Sequence, residues 1–248
     1  MKKLLQSARQ DVGQWWQTLW LLAYVFFLAQ DIFYGTSGPT ATLSSVVKYA
    51  GMITLFAYTL KKFRQDTLLV LAIAATLLAD FFLVLTPIWA GNYFYIWGVI
   101  CFAVVQMLHI CRQELPNVTL STLKDANSTV GLLMTLSIII IILICIKPFL
   151  GPNLYFIYTG IYAGLLITNF ISAIRRYRQK PGDLRVFYAL LGFALFLLSD
   201  GCIALQSVLR GRALNIVELL VWALYFPAQI ALVNSSTLSA NKLDSIKS

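Results

Sequence analysis

The chain carries eight apolar runs, each close to the length that a helix needs to cross a bilayer. A hydrocarbon core about 30 Å thick takes about 20 helical residues, because each residue adds about 1.5 Å. The residues are 59% hydrophobic and 12% charged, and the mean hydropathy is +0.78. This composition is typical of a polytopic membrane protein. We place the spans at 16–35, 41–60, 66–87, 92–111, 129–149, 153–174, 184–206 and 213–234.

The expected fold class is therefore all-α, with one eight-helix transmembrane domain over residues 15–236. Residues 1–14 combine basic and apolar side chains, which predicts a short amphipathic segment on the cytoplasmic surface. Residues 237–248 are expected to form a cytoplasmic tail. The first apolar run is too long for a signal peptide, and no small-residue cleavage site follows it.

The basic residues predict the orientation of these spans. Most of the 19 Lys and Arg residues lie in alternate loops and in the two terminal segments. Lys and Arg favour the cytoplasmic side, so both termini are expected there. The net charge of +9 then reflects topology, and we expect no nucleic-acid partner. We expect a multi-pass protein of a bacterial cell membrane, with the lipid bilayer around it.

Two aspartates interrupt the apolar runs, and both lie in the same short motif. Asp80 belongs to LLADFFLVL (77–85), and Asp200 belongs to LLSDGCIAL (197–205). Each motif falls in the third span of a group of four, so the two copies run the same way through the membrane. This predicts two parallel four-helix repeats around an axis along the membrane normal. A chance match between short segments is the alternative.

The helical rise places several ionisable residues at a similar depth. Asp80 and Asp200 lie about 20 Å and about 21 Å from the inner edge of the core, and Lys48 lies about 8 Å from the outer edge. Asp31 and Glu218 also fall in the outer half. Such groups are expected to line an internal cavity rather than to face lipid. For Asp31 and Glu218, near helix ends, we instead expect interfacial snorkelling. For the other three the alternative is a structural ion pair.

Two neighbouring carboxylates in an apolar pocket do not easily both ionise. One is expected to keep its proton, which would set a general acid beside a general base. His109 is the only histidine and the cysteines show no CxxC spacing, so neither a metal site nor a cofactor is expected.

The same residues resemble the YhhN family, which contains lysoplasmalogenase. The best matches are the segment 192–200, which ends in Ser199 and Asp200, and the segment 225–229, where the family has Tyr-x-x-Ala-Gln. Asp80 matches the family's first aspartate, although Ala79 replaces a glycine. Lys48 matches a family Lys-Pro pair, although tyrosine replaces the proline.

The fourth span departs from the family pattern. The family commonly has Ala-His-x-x-Tyr there, whereas this chain has Gln106 at the histidine position and His109 at the tyrosine position. The departure leaves open a change in substrate preference or a loss of activity.

The resemblance implies a hydrolase that cleaves the vinyl ether of a lysophospholipid, releasing a fatty aldehyde and a glycerophospho-alcohol. Asp80 and Asp200 would be catalytic, with no metal and no cofactor. A small-molecule or lipid transporter and an inactive family member are the alternatives. The residues expected to bind the lysophospholipid are Lys48, Tyr225, Gln229, Ser199 and Gln106.

Overall fold

The structure is a computed structural model that describes residues 39–114, 154–206, 209–210 and 212–236, and single helical positions between 18 and 29. The predicted span 129–149, most of the predicted span 16–35, Asp31 and the two terminal segments lie outside the described residues. Within those ranges every regular element is a helix. The all-α prediction is confirmed for this part of the chain.

Seven α-helices make up the described fold, and each of the six predicted spans in these ranges coincides with one of them. Short π-helical and 3₁₀ turns, at Phe81–Leu85 and Gly91–Phe94, connect the second, third and fourth helices. The α-helices are α1 (Pro39–Lys62), α2 (Thr67–Asp80), α3 (Pro87–Ala90), α4 (Tyr95–Glu114), α5 (Leu154–Gln179), α6 (Leu184–Gln206) and α7 (Arg212–Asn234).

Several of these helices are long and apolar enough to cross a membrane. By length and composition, five stretches within the described ranges qualify, and α5 is not among them. Many large apolar side chains on them face outward, among them Leu43, Ile53, Leu71 and Leu198. An outward apolar surface is what a lipid environment favours. The protein is therefore an integral membrane protein, whereas the count of eight spans and the internal repeat stay predictions.

The third predicted span, 66–87, is not one continuous α-helix. It begins at Asp66, whose Oδ1 accepts a hydrogen bond from the Leu69 amide at 3.2 Å. At Asp80 the hydrogen bonding widens to a π-helical turn that ends where the Thr86 amide donates to the Phe81 carbonyl at 3.1 Å. π-Helical turns inside helices are often found at functional sites. This turn begins directly after a buried carboxylate.

The helices follow one another around the bundle in the order α1, α2, α4, α5, α6 and α7, and α7 also touches α1. The most extensive contacts join α6 to α7 and α2 to α4. Phe193, Phe196 and Phe226 are buried in the core between them. Side chains on α2, α6 and α7 therefore project into one shared interior.

Gly192 allows α6 and α7 to approach closely. A Cβ atom at this position would lie 2.7 Å from Cγ of Leu232 and 3.1 Å from the carbonyl oxygen of Ala228, both on α7. These separations are shorter than van der Waals contact. The contact between α6 and α7 thus depends on a residue without a side chain.

Gly192→Ala is expected to lower the free energy of unfolding by about 1–3 kcal/mol, because overpacking forces neighbouring atoms to shift. Gly201→Ala is the matched control on the same helix, since its Cβ would meet nothing within 4 Å. Thermal unfolding of both purified variants in one detergent measures the difference. Equal unfolding temperatures for the two variants would contradict the role assigned to Gly192.

Candidate functional site

Asp80 ends α2 with its carboxylate in the protein interior, and its residue is only 3% exposed. The hydroxyl of Tyr225, on α7, lies 2.8 Å from each of its two oxygens. A hydroxyl has one proton to donate, so the two oxygens share a single donor. No other hydrogen bond to this carboxylate is formed by the residues that the structure describes. Tyr225 therefore supplies the hydrogen bond that replaces water at the buried Asp80 carboxylate.

Asp200 lies on α6 and is hydrogen-bonded to a different tyrosine. The hydroxyl of Tyr162, on α5, donates a short hydrogen bond to Oδ2 of Asp200. Gln106, on α4, also interacts with the Tyr162 hydroxyl. Neither Tyr162 nor its pairing with Asp200 was expected from the sequence.

Aromatic side chains surround the region between the two carboxylates. Tyr225 interacts electrostatically with both Asp80 and Asp200. Its ring packs against Phe196, at a centroid distance of 5.7 Å, and against Phe102, at 6.0 Å. Charges act more strongly on one another in such apolar surroundings than in water. Tyr225 therefore feels the charge of both aspartates and is hydrogen-bonded to Asp80.

Lys48 reaches the same region from α1. The residue is 6% exposed, and its Nζ lies 4.7 Å from the ring centroid of Trp222 on α7. Trp222 in turn packs edge-on against Tyr225 at 5.9 Å. A cation over an indole ring at this distance is stabilised by the ring's electron density. The structure therefore brings Lys48 to the aromatic cluster that holds Asp80.

The remaining predicted residues have different environments. The Ser199 hydroxyl donates to the Val221 carbonyl at 2.9 Å and so links α6 to α7. Gln229 is fully buried one turn beyond Tyr225, and its side-chain nitrogen and oxygen find no hydrogen-bond partner in the described part of the chain. The same holds for one carboxylate oxygen of Glu218. Substrate binding by Ser199 and Gln229 stays a prediction.

A buried polar network joins α4 to α5 beside this region. The side-chain nitrogen of Asn169 donates to the side-chain oxygen of Gln106 at 2.9 Å. The side-chain nitrogen of Gln113 donates to the side-chain oxygen of Asn169 at 2.7 Å. His109 lies between the two glutamines along α4 and packs edge-on against Phe193 at 5.4 Å. Gln106 is thus tied to Asn169, a polar residue in an apolar run that the sequence analysis did not single out.

The chain matches the YhhN family over residues 43–236. It belongs to the YhhN family. The resemblance inferred from the two aspartate motifs and the final helix is thereby confirmed, and the match includes every residue of the candidate site. No curated protein and no solved structure matches the chain.

The site of this YhhN protein offers acid–base chemistry. Two carboxylates, two phenols and one ammonium group supply protons, acceptors and positive charge. Within the described ranges, no three His, Cys, Asp or Glu side chains lie close enough together to hold a metal ion. The structure pairs Asp80 with Tyr225 and Asp200 with Tyr162, and it places Lys48 over Trp222, which packs against Tyr225.

Tyr225→Phe is expected to lower the free energy of unfolding by about 1–3 kcal/mol, because it leaves a buried carboxyl group without its donor. Tyr93→Phe removes the same atom from a residue that is 80% exposed, and it should change stability by less than about 0.5 kcal/mol. Unfolding curves of the two purified variants in one detergent give the comparison. A Tyr225→Phe protein as stable as the Tyr93→Phe protein would refute the assigned hydrogen bond.

Proposed function

We propose that this YhhN protein is a membrane-embedded hydrolase that cleaves the vinyl ether bond of lysoplasmalogens, with Asp80 and Asp200 as its acid–base pair. The observation that carries the proposal is the pair of carboxylates within the helical bundle, Asp80 buried and Asp200 half-buried, each hydrogen-bonded to a tyrosine hydroxyl. Membership of a family associated with hydrolase activity supports it.

The first step is a proton transfer. One aspartic acid, in its neutral form, gives its proton to the vinyl carbon that is not attached to the ether oxygen. The double bond supplies the electron pair for the new C–H bond, and an oxocarbenium ion forms. The aspartate that has lost its proton and the second aspartate both carry negative charge that stabilises this cation.

The second step adds water. One carboxylate accepts a proton from a water molecule while the oxygen of that water bonds to the cationic carbon. The product is a hemiacetal, and the pair of aspartates has regained the proton that it gave. Loss of the hemiacetal proton to water and protonation of the ether oxygen then break the C–O bond. A fatty aldehyde and a glycerophospho-alcohol leave, and one water molecule has been consumed.

The tyrosines hold the carboxylates in place for these steps. The Tyr225 hydroxyl is shared by the two oxygens of Asp80, and the Tyr162 hydroxyl donates to Oδ2 of Asp200. Each carboxylate keeps further lone pairs that can meet the substrate or water. Tyr225 orients the Asp80 carboxylate by a hydrogen bond, and Tyr162 orients the Asp200 carboxylate in the same way. Both are positioning residues in this mechanism.

Lys48 suits the phosphate of the substrate. Its ammonium group lies against an aromatic ring on the side of the bundle where α1 meets α7. A single-chain lysophospholipid carries one phosphate and one apolar tail, which matches a buried cation beside aromatic walls. Gln106 and Gln229, both fully buried, are proposed to orient water or the head group.

Asp80→Asn and Asp200→Asn are each expected to lower aldehyde release from a lysoplasmalogen by at least about a hundredfold, because neither amide can exchange the proton. Asp183→Asn is the control, since Asp183 lies in the turn before α6 and its Oδ1 only accepts the Arg185 amide, at 2.9 Å. The assay measures aldehyde from purified protein in detergent, and gel filtration checks that each variant is folded.

Wild-type activity in both aspartate variants would exclude the acid–base pair. Absence of aldehyde release by the wild-type protein, together with lysophospholipid uptake that collapses with the proton gradient in proteoliposomes, would identify a carrier instead. Lipid binding without either activity would identify an inactive member of the family.

A further inference from the structure

A small cavity lies between the ends of α2, α4, α5 and α6, where several basic residues cluster. Its volume is about 50 Å³, several times the roughly 10–15 Å³ that one water molecule requires on this measure. Small apolar side chains of α5 and α6 form one wall. The polar lining consists of Asp66, Arg112, Gln113, Arg176, Arg185 and Ser235.

The acidic residue of this lining is already neutralised. Nε of Arg112 lies 2.9 Å from Oδ2 of Asp66, and the Ser236 hydroxyl donates to the same oxygen at 2.9 Å. Oδ1 of Asp66 accepts the Leu69 amide, and Nη1 of Arg112 donates to the Ser235 hydroxyl at 3.0 Å. The charges of Asp66 and Arg112 compensate each other, so this pair adds little net charge to the cavity.

Arg176 supplies that charge. Its side chain is partly buried on α5, and no carboxylate within the described ranges lies within ion-pair distance of its guanidinium group. Burial lowers the pKa of Arg176, the Glu114 carboxylate raises it, and the neighbouring Arg112 lowers it. A partly desolvated cation beside a second cation is stabilised by an anion that bonds to it directly.

The cavity is separate from the aspartate pair. Asp66 and Asp80 stand at the two ends of α2, and 14 residues of helix place them about 21 Å apart. The cavity also lies on the side where the positive-inside rule expects the cytoplasm. A ligand here would not contact the residues of the proposed hydrolase site.

We propose that this cavity binds a phosphate group, with Arg176 as its main ligand. A guanidinium group presents two parallel N–H donors that match two phosphate oxygens, and Arg185 adds a second positive charge to the lining. The phosphate comes either from an anionic lipid of the cytoplasmic leaflet, whose glycerol backbone would lie against the apolar wall, or from free phosphate in the cytoplasm.

Two binding measurements on the full-length protein in neutral detergent test the site and its source. The first titrates inorganic phosphate against chloride at matched ionic strength by isothermal calorimetry. The second uses native mass spectrometry to compare retention of short-chain phosphatidylglycerol with that of diacylglycerol of the same chains, which lacks the phosphate. We expect saturable binding in at least one measurement.

Arg176→Gln is expected to weaken that binding at least tenfold. Arg178→Gln is the matched control, because it removes one positive charge from the same helix end at an exposed position outside the cavity. It should bind within about twofold of wild type. Arg176→Lys keeps the charge but loses the paired donors, so intermediate binding is expected. If Arg176→Gln does not fold, the comparison of Arg176→Lys with Arg178→Lys carries the test.

Each outcome decides the proposal. Phosphate binding that only the Arg176 substitution removes supports a free-anion site, and selective loss of phosphatidylglycerol supports a lipid site. Equal losses in the Arg176 and Arg178 variants would mean a general basic surface and would overturn the proposal. Binding in neither measurement, or full binding by Arg176→Gln, would overturn it as well.

Discussion

The rest of the structure depends on how two carboxylates are accommodated among apolar helices. A buried carboxyl group that has lost its water must find hydrogen-bond donors within the protein. Asp80 finds one on α7 and Asp200 finds one on α5, in both cases a tyrosine hydroxyl. Neither donor is a near neighbour in sequence, so the bundle must close before either carboxylate is satisfied. The close approach at Gly192 and the ion pair at the basic end hold the helices in that closed arrangement.

The tyrosine partners of the two aspartates come from different places in the predicted halves of the chain. Asp80, in the first group of four spans, accepts a hydrogen bond from Tyr225 in the last span of the second group. Asp200, in the second group, is bonded to Tyr162, which interacts with Gln106 in the last span of the first group. The two most extensive helix contacts, α2 with α4 and α6 with α7, also occupy equivalent places in the two groups. The two tyrosine hydrogen bonds are not equivalent under exchange of the two groups, so the parallel repeat stays a prediction.

The two ends of α2 place their acidic residues in different environments. At its start, Asp66 caps the helix and ties down Arg112, which leaves Arg176 exposed to the cavity. At its end, Asp80 enters the aromatic interior, and the helix widens into a π-turn. About 21 Å of apolar helix separates the two. The proposed phosphate site and the proposed acid–base pair therefore use different residues.

The sequence by itself determined the membrane class, the approximate extents of the helices in the described ranges and the family, and it singled out Asp80 and Asp200 as candidates. Those features are local, since hydropathy over about 20 residues and short motifs carry them. Only the tertiary structure decided that Tyr162 is the partner of Asp200, that Ser199 bonds to the Val221 carbonyl and that Asn169 ties down Gln106. Such pairings depend on how each helix is rotated about its axis and on which distant helix lies beside it. In an apolar run with lipid on one side and protein on the other, the sequence constrains the rotation of a helix and the choice of its neighbours only weakly.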